Sequence, residues 1–204
     1  MTALTPRARL ARGLLTASAG NMAQGVAFCA RRLGVPATII APDTAPATKI
    51  RAVERMGGRV ILVPFAEWWR TFETRSYPGV DATFIHAFDD LAVMAGNGTI
   101  AMELLEDLAE LDAVVIPWGG GGLSCGIASV LRQLAPQVRI YAAEIDTAAP
   151  LAASLAAGNL VQWITGLRLW MASAARWFSP TCSNTPNVCW MVPSWSPWTK
   201  PRLP

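Results

Sequence analysis

Along residues 13–146 the chain alternates between two patterns. Short apolar runs at Leu14–Thr16, Ala37–Ile40, Val60–Val63, Thr83–Ile85, Ala113–Ile116 and Val138–Ala142 predict buried strands. Between most of them, apolar residues recur at helical spacing. Val26, Ala30 and Leu33 share one face, as do Ile100, Leu104, Leu105 and Leu108, and again Ile127, Val130, Leu131 and Leu134. Turn signals such as Gly34-Val35-Pro36, Gly57-Gly58 and Ala135-Pro136 separate the elements. Apolar strands interleaved with helices predict an α/β fold, with parallel sheets and helices on both faces.

The rhythm stops near Leu160. From Thr147 to Pro204 there is no Asp or Glu, while Trp163, Trp170, Trp177, Trp190, Trp195 and Trp198 all fall there. Trp163, Trp170 and Trp177 are spaced to line one side of a helix. Two readings of this segment stay open: packing against the preceding domain, or a sequence not evolved for the fold, such as one translated out of frame.

Composition narrows the class. The chain has 204 residues, 52% hydrophobic and 15% charged, which suits a globular protein with a sizeable core. A net charge of +3 with scattered basic residues excludes an electrostatic nucleic-acid binder. The uncharged stretch between Asp146 and Arg168 is diluted by polar residues and is not expected to span a membrane. No apolar segment backs the arginines at 7, 9 and 12 as a signal peptide would require, so the cytoplasm is expected. Cys29, Cys125, Cys182 and Cys189 form no CxxC pair and show no metal-ligand spacing. Trp68 and Trp69 are expected to pack.

Two segments carry chemistry. Thr16-Ala17-Ser18-Ala19-Gly20-Asn21-Met22-Ala23-Gln24-Gly25 follows a strand and opens a helix. Small residues there let a ligand approach the backbone, the first helical N–H groups suit a carboxylate, and Ser18 and Asn21 add directional donors. An ordinary helix cap accounts for the same residues equally well. The second segment, Pro117-Trp118-Gly119-Gly120-Gly121-Gly122-Leu123-Ser124-Cys125-Gly126, places four glycines between a strand and a helix. Successive bare N–H groups form an anion-binding concavity, and phosphate is the favoured ligand over a plain turn. No Lys-Ser/Thr follows, so it is not a Walker loop. Ser124 or Cys125 falls where the last glycine of GxGxxG would stand. Glu144, ending the next strand, keeps a dinucleotide reading open.

Taken together, the two segments resemble those of the serine/threonine dehydratase and serine racemase family of fold-type II pyridoxal-phosphate enzymes. Ala41–Lys49 resembles the family's proline-flanked segment, Ile85–Asp90 its "HPFDD" corner, and Gly96–Ile100 its "GQGTI" turn. The resemblance covers residues 1 to about 160. It implies an incomplete tryptophan-synthase-β-like architecture: 1–16 a remnant of the large domain, 17–88 a small α/β domain, 89–160 part of the large cofactor-binding domain, and 161–204 an irregular Trp/Pro-rich tail. It further implies pyridoxal 5′-phosphate as cofactor and a small amino-acid substrate, with a second copy of the chain as a partner. By the same match, Ser18, Ala19, Gly20 and Asn21 hold the substrate carboxylate, and Asn21 also bonds the pyridoxal ring oxygen. Gly119, Gly120, Gly121, Gly122 and Leu123 hold the 5′-phosphate. Glu144 aligns with a cation ligand of some relatives, but Pro150 stands where a second acid would be, so no metal is expected.

The sequence also departs from the family. The Schiff-base lysine precedes the Ser-x-Gly-Asn loop in relatives; here the lysines are Lys49, which aligns with a helix residue, and Lys200, in the unmatched tail. Met22 replaces a His and Ala87 a Pro. His86, the only histidine, is expected to be structural rather than catalytic. The activity implied for the parent family is conversion of threonine or serine to a 2-oxoacid and ammonia. The 204 residues alone are expected to be inactive without that lysine. The alternatives are a noncovalent binder of pyridoxal phosphate or an amino acid, and a nucleotide-dependent oxidoreductase.

Overall fold

The computed structural model describes residues 7–144, 149–157, 162–165 and 168–171. The chain divides into two compact units, residues 1–93 and 94–204. The sequence places the corresponding boundary at 88/89. Leu14–Thr16, expected in a remnant of the other domain, form part of an interior strand of the first unit.

The first unit runs α1 (Arg7–Leu10), β1 (Leu14–Ala17), α2 (Asn21–Leu33), β2 (Ala37–Pro42), α3 (Ala47–Arg55), β3 (Arg59–Val63), α4 (Phe65–Thr74) and β4 (Thr83–Phe84). Its four strands form one parallel sheet in the order β3-β2-β1-β4. Register decides which residues share a face: Leu14 pairs with Ala37 and Thr16 with Ile39. Leu14 and Ile39 pack with Val26, Ala27 and Ala30 of α2 and Val53 of α3. Leu15, Ile40 and Val63 point the other way, against Trp68 of α4 and Tyr77. Both faces of this sheet are therefore covered, as continuous apolar strands require. Fully burying Leu14 or Ile40 contributes roughly 1.5–3 kcal/mol each. The buried stripe of α2 is Ala23, Val26, Ala27 and Ala30, whereas Leu33, expected on that face, is 43% exposed.

The second unit carries most of α5 (Leu91–Asp107), then β5 (Ala113–Pro117), α6 (Gly122–Leu134), β6 (Arg139–Ala143), α7 (Pro150–Ala157), β7 (Gln162–Thr165) and β8 (Arg168–Met171). β5 and β6 pair in parallel, with Val114 opposite Ile140 and Ile116 opposite Ala142. Ile116 and Ile140 pack with Ile127, Ala128 and Leu131 of α6 and with Ala101 of α5. Val115, on the opposite face of β5, is 62% exposed. Gly96–Ile100, read from sequence as a turn, lies inside α5. The buried positions of that helix are Val93, Met94, Gly98 and Ala101; Ile100 is exposed, as is Leu108 just past the helix end. Small residues set this face because α5 and α6 meet backbone to backbone. A Cβ on Gly126 would stand 2.2 Å from the Met94 carbonyl oxygen and 3.0 Å from the Gly98 nitrogen.

β7 and β8 form an antiparallel pair with Trp163 opposite Trp170, so these two tryptophans lie on a hairpin rather than a helix. Trp177, the other tail tryptophans, Cys182, Cys189 and Lys200 lie outside the described residues. Among the described residues no helix is long and apolar enough to cross a membrane.

Candidate functional site

The first candidate turn starts where β1 ends. The Ser18 N–H donates to the Ile40 carbonyl at 3.0 Å, tying the turn to β2. Ser18 Oγ accepts from the Gly20 N–H at 3.2 Å, which leaves the hydroxyl hydrogen available to a ligand. α2 then begins at Asn21 with Gly20 as its cap. Among the described residues no side chain caps the N–H groups of the first turn of α2, and no acidic residue stands there. Such a helix start directs N–H groups and a partial positive charge at whatever anion approaches. Ser18, Ala19 and Gly20 are half-buried, and Asn21 is exposed. Met22 packs against the first core.

Sequence reasoning missed one neighbour of this turn. Ser18, Ala19 and Lys49 line a common cavity of about 10 Å³ together with Ile50 and Val53 of α3, about the room one water molecule needs. The signal was available in the i, i+4 spacing of Lys49 and Val53, because Val53 is in the core.

The second turn follows β5. The Trp118 N–H donates to the Ala143 carbonyl at 2.8 Å, fixing the turn's root on β6. Gly121 caps α6 with φ at +88°, a left-handed conformation costly for any residue with a Cβ. The Cys125 N–H donates to the Gly121 carbonyl at 2.8 Å as the first helical bond. As in α2, no side chain caps this helix and its first turn holds no acid. Gly121 and Gly122 are buried, with Gly119 and Gly120 half-buried. Ser124, in the first turn of the helix, is buried, and its hydroxyl has no partner among the described residues. A left-handed glycine, uncapped N–H groups and a spare hydroxyl fit a phosphate group. Each turn is built within its own unit.

His86 holds a chain corner. Its Nδ1 accepts from the Asp89 N–H at 2.8 Å and the Phe88 N–H at 3.3 Å, while its ring lies against Phe72 and Phe88. Asp90 completes the corner by accepting from the Ala92 and Val93 N–H groups at the start of α5. Trp68 and Trp69 pack with Phe65 and Phe72.

Glu144 has a task that its position in the sequence did not reveal. Its two carboxylate oxygens accept from the Leu151 and Ala152 N–H groups, at 2.8 and 3.0 Å, and so cap α7 from outside the helix. Both oxygens are thereby engaged, and among the described residues no group of three or more His, Cys, Asp or Glu side chains could hold a metal ion. Burial raises the Glu144 pKa, against the lowering effect of the two N–H bonds. The folded chain therefore holds this proton more tightly than the unfolded one. Stability from this site is greatest at acid pH and falls as pH rises through the raised pKa. Glu144→Ala is expected to cost about 1 kcal/mol and to speed hydrogen exchange at Leu151 and Ala152, with the first unit unchanged.

Comparison with known proteins gives a consistent picture. The family described as "Pyridoxal-phosphate dependent enzyme" matches residues 2–180. The L-threonine ammonia-lyase of Geobacter sulfurreducens is 43% identical over 163 residues, which cover 77% of this chain and 39% of that protein. The biosynthetic L-threonine dehydratase IlvA of Escherichia coli is 45% identical over 154 residues, covering 74% and 30% respectively. Among solved structures, maize serine racemase superposes with a TM-score of 0.79 at 30% identity, covering 93% of this chain and 58% of that one. The processed form of threonine deaminase isoform 2 from Solanum lycopersicum gives 0.71 at 38% identity, covering 81% and 48%. The chain thus spans about a third of the length of the curated relatives it matches.

Proposed function

Because this chain belongs to the pyridoxal-phosphate-dependent enzyme family, we propose that the glycine-capped starts of α2 and α6 are the substrate and cofactor grips of a threonine or serine ammonia-lyase. The observation that carries this reading is the paired construction of the turns. Each joins a parallel strand to a helix through a glycine cap, with neither a side-chain cap nor a first-turn acid, whereas α3, equally bare, starts on Pro46. An anion at such a terminus gains about 0.3–1 kcal/mol, and up to about 2 when partly buried.

Ser18 donates its hydroxyl hydrogen to the amino-acid carboxylate, its oxygen being held in place by the Gly20 N–H. Ala19, Gly20 and Asn21 supply the rest of that grip, with the Asn21 carboxamide also directed to the ring oxygen of the cofactor. Gly119 to Gly122 and Leu123 hold the 5′-phosphate. The cofactor supplies the electron-withdrawing ring that lets a hydroxy amino acid lose water and then ammonia. Lys49, on the rim of the Ser18 cavity, is not assigned to attach the cofactor. These 204 residues therefore bind it noncovalently. A cytoplasmic setting, a homo-oligomeric assembly and the absence of a nucleic-acid partner belong to the same reading.

The dinucleotide alternative loses its ribose ligand, since both Glu144 oxygens are engaged by α7. An absorbance and fluorescence titration with pyridoxal phosphate tests the proposal. The wild-type chain is expected to bind, and Gly121→Val to bind at least about tenfold more weakly, because valine strains the left-handed cap and crowds the anion. Tight NAD binding with no response to pyridoxal phosphate would sink the reading. A borohydride-fixed adduct on Lys49 would overturn its noncovalent part.

A further inference from the structure

Buried hydroxyls in this chain are usually satisfied within it. Thr16 donates to the Ile85 carbonyl, Thr71 to Glu67, Thr83 to Arg9 and Ser154 to Pro150, all at 2.6–2.9 Å. Ser124 breaks this pattern: it is 2% exposed, and its buried Oγ has no hydrogen-bond partner among the described residues. Folded proteins rarely leave such a group unpaired without a role for it.

The position of Ser124 indicates what that role is. It is the third residue of α6 after the Gly121 cap, on the buried stripe it shares with Ala128 and Leu131. Cα–Cβ bonds of a helix tilt toward its N-terminus, so the hydroxyl leans toward the Gly119–Gly122 turn. A side chain at this third position is also the one that reaches back to a helix start in a capping box. Here the start has no side-chain acceptor and no acid nearby. An anion received by the turn would give this hydroxyl the acceptor it lacks.

We propose that Ser124 is a side-chain ligand of the anion bound by the glycine turn, donating Oγ–H to a phosphate oxygen beneath the backbone N–H groups. This rests on the reading of that turn as the 5′-phosphate grip. It adds a residue whose hydroxyl is unpaired in the free protein and satisfied only when the phosphate is bound. The glycine turn is thus selective for a phosphate ester over the unphosphorylated form of the same compound.

Three probes, pyridoxal phosphate, pyridoxal and inorganic phosphate, are titrated into the wild-type chain and Ser124→Ala, and each protein is melted without ligand. Removing the hydroxyl is expected to weaken pyridoxal phosphate and inorganic phosphate by about tenfold and to leave pyridoxal unchanged. It is also expected to raise the ligand-free Tm by a few degrees, because an unpaired buried polar group is removed. Ser124→Cys, close in size but a weak donor, falls between the two. Wild-type affinity in Ser124→Ala, in a chain that does bind pyridoxal phosphate, overturns the role of Ser124 while leaving the proposed function standing. A lower Tm, or failure of Ser124→Ala to fold, shows that the hydroxyl serves the fold and overturns the role as well. A wild-type chain that binds neither phosphate compound removes both proposals.

Discussion

Replacing Gly126 with alanine is expected to destabilise the second unit by about 3 kcal/mol, the upper end of the usual cost of overpacking. The added carbon would sit 2.2 Å from the Met94 carbonyl oxygen, 2.9 Å from Asn97 Cβ and 3.0 Å from the Gly98 nitrogen. Two of these three obstacles are backbone, so no rotamer change relieves them and α5 must move off α6. The opposing surface is equally tight, because a Cβ on Gly98 would meet Val130 at 2.9 Å. Since α6 carries the glycine turn at its start, the loss should appear both as a lower midpoint in urea and as faster hydrogen exchange along α5 and α6. Gly25→Ala provides the control. A Cβ there meets nothing within 4 Å, and Gly25 lies within α2, so the same substitution should stabilise by roughly 0.5–1 kcal/mol. If Gly126→Ala left the urea midpoint unchanged, the close crossing of the two helices would be wrong.

The second large effect is acid lability of the first unit. The His86 pKa is lowered from 6.5 to about 4, chiefly by burial and then by Arg75, with Asp89 and Asp90 pulling in the opposite direction. The geometry explains the direction. Nδ1 already accepts two backbone N–H groups, so a proton placed there would break the corner. On acidification the unfolded chain takes up this proton before the folded one does. Stability is therefore complete above about pH 6.5 and is lost progressively as pH falls toward 4, by on the order of 2–3 kcal/mol. Urea unfolding measured across this range should show the loss. His86→Asn, which keeps an acceptor for the corner N–H groups, should flatten the dependence. A ring titration near pH 6.5 by NMR would contradict the lowered value. Glu144 opposes His86 in sign, since acidification favours its folded state.

The strands were readable because each is a short apolar run between turn residues, and the structure places a parallel strand at every one of the six. Both chemical turns were readable too, as small residues at strand-to-helix junctions. Helix faces were harder. In α5 the bulky Ile100 and Met102 face outward, and the tight side is made by Gly98 and Ala101. Hydrophobic spacing finds bulky contacts and overlooks close backbone approaches. The family resemblance implied a turn at Gly96–Ile100, although a helix tolerates glycine where a neighbour needs the space. Glu144 misled for a different reason: its partners lie seven and eight residues ahead, beyond any local capping rule. The seven-residue spacing of Trp163 and Trp170 fits a helix stripe, yet it equally fits two positions facing each other across a hairpin.

The strand order of the first unit has a consequence for synthesis on the ribosome. β2 and β3 follow β1 closely in the chain and pair along one side of it. The other side of β1 waits for β4, through Leu14 opposite Thr83 and the Thr16 bond to Ile85, a separation of 69 residues. At about 5–20 residues per second, the roughly 20 residues between β3 and β4 take on the order of one to four seconds to make. Throughout that interval a nascent three-stranded sheet exposes, as an open edge, the strand that is buried at every position in the finished fold. The unit is thus most prone to mispair with a neighbouring nascent chain just before Thr83 emerges, and a pause in translation within residues 64–82 would lengthen that exposure.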